Sequence, residues 1–168
     1  GGGCFWAPAD KLSGVPGIIS TTVGYCGDND YYTKNNSPPT YEKVCSGRTK
    51  LVEAVRVEYD ANILSFEDTL KLYAAVNTAN WRSKRQYEGI IFTSNEEETV
   101  IASNFIKENP QVVTKVEKMS DVFYVAESYH QNYWAKWRTR IPAFVSMLAL
   151  VAYFGGENSG TLWNIICY

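Results

Sequence analysis

EAVRVEYD, residues 53–60, places its bulky apolar side chains at every second position. This two-residue period predicts a half-buried strand. The stretch that follows, SFEDTLKLYAAV (residues 65–76), begins with Ser65, has Asp68 three positions later and carries apolar residues at helical spacing. Those features predict a capped helix. A strand followed closely by a helix indicates a domain in which both kinds of element form the core.

The segments on either side follow the same two patterns. Further strands are predicted at residues 18–26, 89–94 and 114–126, the last as a strand pair or one bent strand. Further helices are predicted at residues 4–12, 95–109 (capped by Ser94) and 127–140, the last continuing after Pro142, and residues 28–41 are expected to form a polar loop. This order indicates an α+β fold with a mixed, mostly antiparallel sheet.

Length and charge limit the function classes. The 168 residues, 45% of them hydrophobic, are enough for one domain with a buried core, and we find no repeat or linker that divides residues 1–168. A net charge of -2 argues against nucleic acid or an anionic membrane as partner. The apolar run 143–154 is too short to span a bilayer and predicts a buried helix.

Two expectations concern the ends of the chain. No secretory signal pattern precedes the domain, and the chain starts on glycine instead of methionine, so this end does not identify the compartment. We expect a soluble protein, cytoplasmic or organellar. Residues 155–168 contain three glycines and are expected to form a mobile arm that carries Cys167.

The four cysteines, Cys4, Cys26, Cys45 and Cys167, are too sparse to build a disulfide scaffold in a chain of this length. The sequence has no Cys-x-x-Cys pair, and the lone histidine has no cysteine close by. We therefore expect no metal site, with a zinc site assembled from scattered residues as the alternative.

The stretch GGGCFW (residues 1–6) places Cys4 at or just before the start of a predicted helix. A helix amino terminus stabilises a thiolate, which predicts a lowered pKa for Cys4 and makes it the best candidate nucleophile. Phe5 and Trp6 could pack around a methyl group or a polarisable sulfur. The alternative is an ordinary buried thiol beside two core aromatic residues.

An ordered set of motifs carries a family resemblance: GGGCFW, GVPGIISTTVGYCG (14–27), PTYEKVCSG (39–47), EAVRVEYD and, later, AESYHQNY (126–133). In this order and at these spacings they resemble the A-type methionine sulfoxide reductases. The resemblance implies a two-layer α/β sandwich, the ferredoxin-like plait. It also implies an enzyme that reduces methionine-S-sulfoxide, free or in peptides.

The resemblance assigns roles to individual residues. Cys4 matches the nucleophile that attacks the sulfoxide sulfur, and Phe5 and Trp6 match the residues that hold the methyl group. Tyr41 and Glu53 match the residues that bind the sulfoxide oxygen and help to protonate it. This chemistry suits a partly desolvated carboxyl with a raised pKa. Without the resemblance, Glu53 would be interpreted as a solvated charge at a strand end.

Tyr87, in the dipeptide Gln86-Tyr87, matches a second tyrosine that binds the sulfoxide oxygen, although without the resemblance it would be assigned to the core. Its assignment depends on aligning the Gln-Tyr dipeptide, because the sequence around it departs from the family pattern.

After the attack, Cys4 would be a sulfenic acid, and condensation with a second thiol would give a disulfide. Cys167, in a glycine-rich tail, and Cys26 are the candidates for this resolving cysteine, whereas Cys45 is expected to be structural. The resemblance implies that an external thioredoxin-like dithiol restores the enzyme and that no cofactor is bound.

Two features depart from the family pattern. Residues 50–52 replace the Gly-His that usually precedes the glutamate, and Arg82 occupies the position of an aspartate. With Lys84 and Arg85, Arg82 could bind a carboxylate of the substrate, or the three could form a solvated basic loop. The alternatives are therefore a relative that acts on another small anionic S-oxide and a non-catalytic binding module. His130 matches a mainly structural histidine, and a Cys-His hydrolase is a further alternative.

Overall fold

The computed structural model describes residues 1–28, 30–80, 82–119 and 122–154. Contacts divide the chain into two compact units, Gly1–Tyr133 and Trp134–Tyr168. The single domain over residues 1–168 stays a prediction, and the predicted arm 155–168, with Cys167, lies outside the described residues.

Helices and strands are interspersed along the first unit, and nearly all of α6 belongs to the second. The helices are α1 (Trp6–Ser13), α2 (Tyr31–Asn35), α3 (Tyr41–Cys45), α4 (Phe66–Val76), α5 (Glu96–Glu108) and α6 (Tyr133–Phe154). The strands are β1 (Ile18–Cys26), β2 (Val52–Tyr59), β3 (Ile90–Thr93), β4 (Lys115–Lys118) and β5 (Tyr124–Val125). A 3-10 turn, Arg85–Tyr87, precedes β3.

The strands form two small sheets. One is antiparallel with the order β2-β1-β5, and the other is the parallel pair β3-β4. The α+β class is confirmed, and both antiparallel and parallel pairing occur, but in two separate small sheets and not in one mixed sheet. Residues 114–126 form two strands that join different sheets. The finer arrangement as a ferredoxin-like plait stays a prediction.

The predicted cap of α4 is confirmed in full. The Ser65 side chain accepts a hydrogen bond from the Asp68 backbone N–H at 3.1 Å, and the Asp68 carboxylate accepts one from the Ser65 backbone N–H at 3.3 Å. This reciprocal pair satisfies two donors that the first helical turn leaves without partners.

Two local predictions are wrong. The Asn95 side chain, not Ser94, caps α5, because its Oδ1 accepts the Glu98 backbone N–H at 2.8 Å while the Ser94 N–H donates to the Glu98 carboxylate. The predicted loop 28–41 contains α2 and the first residue of α3, the latter capped by the Thr40 side chain. Short helices of this kind depend on such caps more than on periodicity.

The predicted burial of residues 143–154 is also wrong. They lie in α6, whose large apolar side chains are exposed, namely Ile141, Phe144, Val145, Met147, Leu148, Leu150 and Val151. In the second unit the structure describes α6 alone. Among the described residues, no helix has the length and apolar character needed to cross a membrane.

The core that supports the chain start is built around Phe5, which is 1% exposed. It packs with side chains from β1, β5, α2, α3 and the segments beside them, namely Val23, Tyr25, Tyr31, Val44, Leu51, Tyr124 and Ala126. Burial of an aromatic ring contributes on the order of 2 kcal/mol. Phe5 therefore fixes the backbone on which Cys4 is carried.

Candidate active site

Cys4 lies two residues before α1 and is exposed. The chain reaches this position through Gly3, whose φ of +88° lies in the left-handed region. A Cβ on Gly3 would collide with the Thr78 hydroxyl, and that hydroxyl instead donates to the Gly2 carbonyl at 3.1 Å. Only glycine adopts this backbone conformation without strain and leaves room for the nearby Thr78 side chain, so position 3 requires glycine. The glycine run therefore presents the thiol at the surface.

The structure contradicts the predicted lowering of the Cys4 pKa. Desolvation by the surrounding protein raises this pKa above its ordinary value, although the thiol itself is accessible. A hydrogen bond from the Trp6 backbone N–H opposes the rise, but negative charge on Glu53 and Cys45 adds to it. The helix terminus thus acts in the predicted direction and is outweighed.

Glu53 is buried on β2, with 1% of its surface exposed, so its interpretation as a solvated charge is wrong. Its Oε2 accepts a hydrogen bond from the Phe5 backbone N–H at 3.1 Å, which places the carboxyl next to the residue that follows the thiol. Burial raises the pKa of Glu53 to about 7. A carboxyl with this pKa holds a proton that it can give up near neutral pH.

The negative charge of Glu53 acts on both predicted tyrosines, Tyr41 and Tyr87, and contributes to the rise of their pKa values. Tyr41 is the first residue of α3, and its backbone N–H donates to Glu127 at 2.8 Å. A hydrogen bond to Cys45, followed by desolvation, raises the pKa of Tyr41. Desolvation and the charge on Glu53 raise the pKa of Tyr87, which ends the 3-10 turn. Both hydroxyls therefore keep their protons and can donate hydrogen bonds.

An aromatic group surrounds the side chain of His130, which is 2% exposed. Trp6 donates its indole N–H to Nδ1 of His130 at 3.1 Å and stacks on Tyr133 with ring centroids 3.9 Å apart. The His130 ring also lies 5.3 Å from Phe5 and 4.5 Å from Tyr41. Burial lowers the pKa of His130, so the neutral ring can accept the indole proton. Aromatic walls of this kind favour an apolar or sulfur-containing group.

Glu127 was missed by the sequence analysis. Its carboxylate accepts the Tyr25 hydroxyl at 2.9 Å and the Tyr41 backbone N–H at 2.8 Å, and it lies 3.9 Å from Nε2 of His130. The available signal was its place at the start of the segment ESYHQNY, three residues before the histidine. Through these hydrogen bonds Glu127 connects the segment ESYHQNY with β1 and α3.

The three basic residues of the predicted anion site have different surroundings. Arg85 is held by Glu88 at 2.8 Å and Glu117 at 3.1 Å, and its Nε donates to the Lys50 carbonyl at 2.7 Å. It is therefore a structural ion-pair partner, which fixes the 3-10 turn. Arg82 is exposed, with its backbone N–H on the Asn80 side chain, and its binding of a substrate carboxylate stays a prediction.

Among the residues that the resemblance assigned to one site, Phe5 contacts Glu53, and Phe5, Trp6 and Tyr41 all contact His130. Cys4 directly precedes Phe5, and Tyr87 is related to Glu53 and Cys4 through electrostatics. Cys26 is buried at the end of β1, and Cys167 lies outside the described residues. Over the described ranges, no group of three or more histidine, cysteine or acidic side chains could hold a metal ion.

Comparison with known proteins gives a consistent set of matches. The sequence model of a family described as "Peptide methionine sulfoxide reductase" matches residues 1–154. Relatives named peptide methionine sulfoxide reductase MsrA are 37% identical in Nitratiruptor sp. (80% of this chain, 79% of the relative) and 36% identical in Methanococcus maripaludis (81% and 89%).

Two solved structures share the fold. Methionine sulfoxide reductase A of Corynebacterium diphtheriae has a TM-score of 0.67 at 24% identity, covering 81% of this chain and 72% of that one. Mxr1 from Saccharomyces cerevisiae in reduced form has a TM-score of 0.64 at 23% identity, covering 80% and 81%.

Proposed function

The chain belongs to the peptide methionine sulfoxide reductase family, and from that premise we propose that it reduces methionine sulfoxide to methionine with Cys4 as the nucleophile. The observation that carries the assignment of the site is the buried Glu53 carboxyl, which holds the backbone N–H of the residue after the thiol. The curated relatives favour methionine sulfoxide over the two alternatives, another small anionic S-oxide and a non-catalytic binding module.

In the first step, the sulfoxide oxygen lies near Glu53 and the hydroxyls of Tyr41 and Tyr87. Cys4 attacks the sulfur as the oxygen gains a proton, because a protonated oxygen makes the sulfur a better electrophile. The sulfoxide is reduced to the sulfide, and Cys4 is oxidised to a sulfenic acid that keeps the oxygen.

The raised pKa values of Cys4 and Glu53 indicate how the proton is supplied. The reactive form needs a Cys4 thiolate and a protonated Glu53. The two groups together therefore carry one proton, and it lies on Glu53. The charge on Glu53 disfavours the thiolate, and protonation of Glu53 removes that repulsion. Transfer of the thiol proton to the carboxylate therefore prepares both groups at once.

Phe5 and Trp6 are proposed to hold the methyl group attached to the sulfur. The indole ring is fixed by the hydrogen bond to His130 and by the stack on Tyr133. A fixed ring favours a substrate whose methyl group fits beside it, because no side-chain entropy is lost on binding. Arg82 is proposed to attract the carboxylate when the substrate is the free amino acid.

We expect Trp6→Phe to raise the KM for methionine-S-sulfoxide about tenfold, with kcat changed less. The variant loses the indole N–H that fixes the ring on His130, so the freed ring must be ordered when substrate binds, at a cost of about 1.4 kcal/mol. Steady-state kinetics measures the split, and Trp137→Phe in α6 is the matched control. An unchanged KM in Trp6→Phe would show that the ring does not position substrate.

A second thiol is proposed to condense with the sulfenic acid, and an external thioredoxin-type dithiol to reduce the resulting disulfide. No bound cofactor takes part in these steps. Cys167 and Cys26 are the predicted second thiols.

The proposed function is tested by a single turnover. Fully reduced protein is mixed with one equivalent of methionine-S-sulfoxide or methionine-R-sulfoxide, and methionine and free thiols are counted. We expect one equivalent of methionine and the loss of two thiols with the S form, which is the form that the resemblance implies. Absence of methionine with both forms would contradict the proposal.

A further inference from the structure

Cys45 is the last residue of α3 and lies beside groups of the proposed site. Its Sγ accepts a hydrogen bond from the side-chain amide of Gln86 at 3.4 Å, and Gln86 is adjacent to Tyr87. Tyr41 lies one helical turn earlier on α3, and its interaction with Cys45 raises the pKa of the Tyr41 hydroxyl. The thiol is therefore held between the two tyrosine-bearing elements.

Cys26 faces away from this region. Tyr25 pairs with Glu53 across β1 and β2, and the Tyr25 ring lies 6.0 Å from the Phe5 ring, so this pair faces the site. Successive residues of a strand point to opposite faces of a sheet, which directs Cys26 to the other face. It lines a cavity of about 400 Å³ that Phe5 and Glu53 also border, but neither Cys4 nor Tyr41 is among the lining residues.

Cys45, by contrast, directly follows Val44, which packs in one core cluster with Phe5, the residue after Cys4, while Tyr41 packs against the same cluster. The electrostatic effect of both thiols on Tyr87 agrees with this placement. Resting on the proposed function, we infer that Cys45 is the resolving cysteine, which condenses with the sulfenic acid formed on Cys4. The residue expected to be structural thereby takes part in the redox cycle.

The step balances without a further oxidant. Cys45 Sγ attacks Cys4 Sγ, an S–S bond forms, the S–O bond of the sulfenic acid breaks, and the oxygen leaves as water with the thiol proton. The sulfoxide supplied the two oxidising equivalents in the preceding step. An external dithiol returns both cysteines to thiols.

The position of Cys45 suits a sulfur that must approach another one. A disulfide requires Cα atoms within about 7 Å, with a defined dihedral angle. Cys45 ends a five-residue helix, and Gly47 two positions later has a φ of +70° and no heavy atom near the place of its missing Cβ. The segment that carries Cys45 is thus short and loosely packed at its end.

The test follows the sulfur atoms in the full chain after one equivalent of methionine-S-sulfoxide. We expect a peptide map of the native protein to show a Cys4–Cys45 disulfide, which requires no variant to fold. In Cys45→Ser, thiol loss should fall from two to one, with a dimedone-reactive sulfenic acid on Cys4. Cys26→Ser and Cys167→Ser should still lose two thiols and give the same disulfide.

The outcomes separate this inference from the proposed function. One equivalent of methionine with a Cys4–Cys26 or Cys4–Cys167 disulfide would overturn the role of Cys45 and leave the reductase activity in place. Loss of two thiols in Cys45→Ser would do the same. Absence of methionine in the native protein would instead contradict the reductase itself.

Discussion

Cys4→Ser is expected to lower the single-turnover rate of methionine formation by at least about 10³-fold. A serine hydroxyl is far less acidic than a thiol and has no accessible sulfenic acid state, so neither attack nor oxygen transfer can proceed. The side chain is exposed and little of the core depends on it, so the variant should unfold at the same temperature as the native protein. The rate is measured by rapid quenching with methionine-S-sulfoxide in excess.

Cys26→Ala is the matched control because it removes a thiol from the opposite face of the sheet. A single turnover needs no second thiol, so this variant should form methionine at nearly the native rate. Comparable losses in both variants would indicate damage to the fold. If Cys4→Ser still formed methionine, another residue would have to be the nucleophile.

Local patterns predicted most of the fold in the first unit. The strand 53–60 and the helix 65–76 were found within one or two residues, since alternation and a capping box are written in neighbouring positions. The short helix α2 was missed because five residues are too few to show a period. The exposure of α6 was missed because apolar residues indicate a preference for burial, but they do not show whether another element packs on the helix.

In the site, too, features set by neighbouring residues were predictable, and features set by contacts between distant residues were not. The position of Cys4 before a helix was predictable from neighbouring residues, but the direction of its pKa shift was not, because the fold creates the desolvation that raises this pKa and brings the charges of Glu53 and Cys45 to bear on it. The resemblance identified Glu53, and the structure shows why it is suitable, since burial beside Phe5 raises its pKa. Glu127 acts only through contacts with residues far away in sequence, so no local pattern marks its role.

The ionised form of the buried Glu53 carboxyl is expected to destabilise the native protein at high pH. Its folded-state pKa of about 7 lies above the ordinary value of 4.5, so the stability it contributes is complete below pH 4.5 and is lost as the pH rises through 7. Glu53→Gln cannot ionise, and its amide oxygen can still accept the Phe5 N–H. We expect the variant to be more stable than the native protein by up to about 3 kcal/mol above pH 7, measured by urea unfolding.

The same variant should lose activity while it gains stability. Glu53→Gln has no proton to give to the sulfoxide oxygen, and removal of a general acid lowers a rate by about 10²- to 10⁴-fold. Methionine formation in a single turnover gives the rate, and a rate within threefold of the native value would remove Glu53 from the proton transfer.

The pH profile identifies the reason for that loss. In the native protein one proton is shared by Cys4 and Glu53, so the rate should rise as the pH passes about 7 and fall again above the raised pKa of Cys4. Below that range both groups are protonated and no thiolate exists, and above it both are ionised and no acid exists. In Glu53→Gln only the thiol titrates, so the rate should rise with pH and show no alkaline decline. A decline that persists in the variant would assign the proton to another donor, such as Tyr41 or Tyr87.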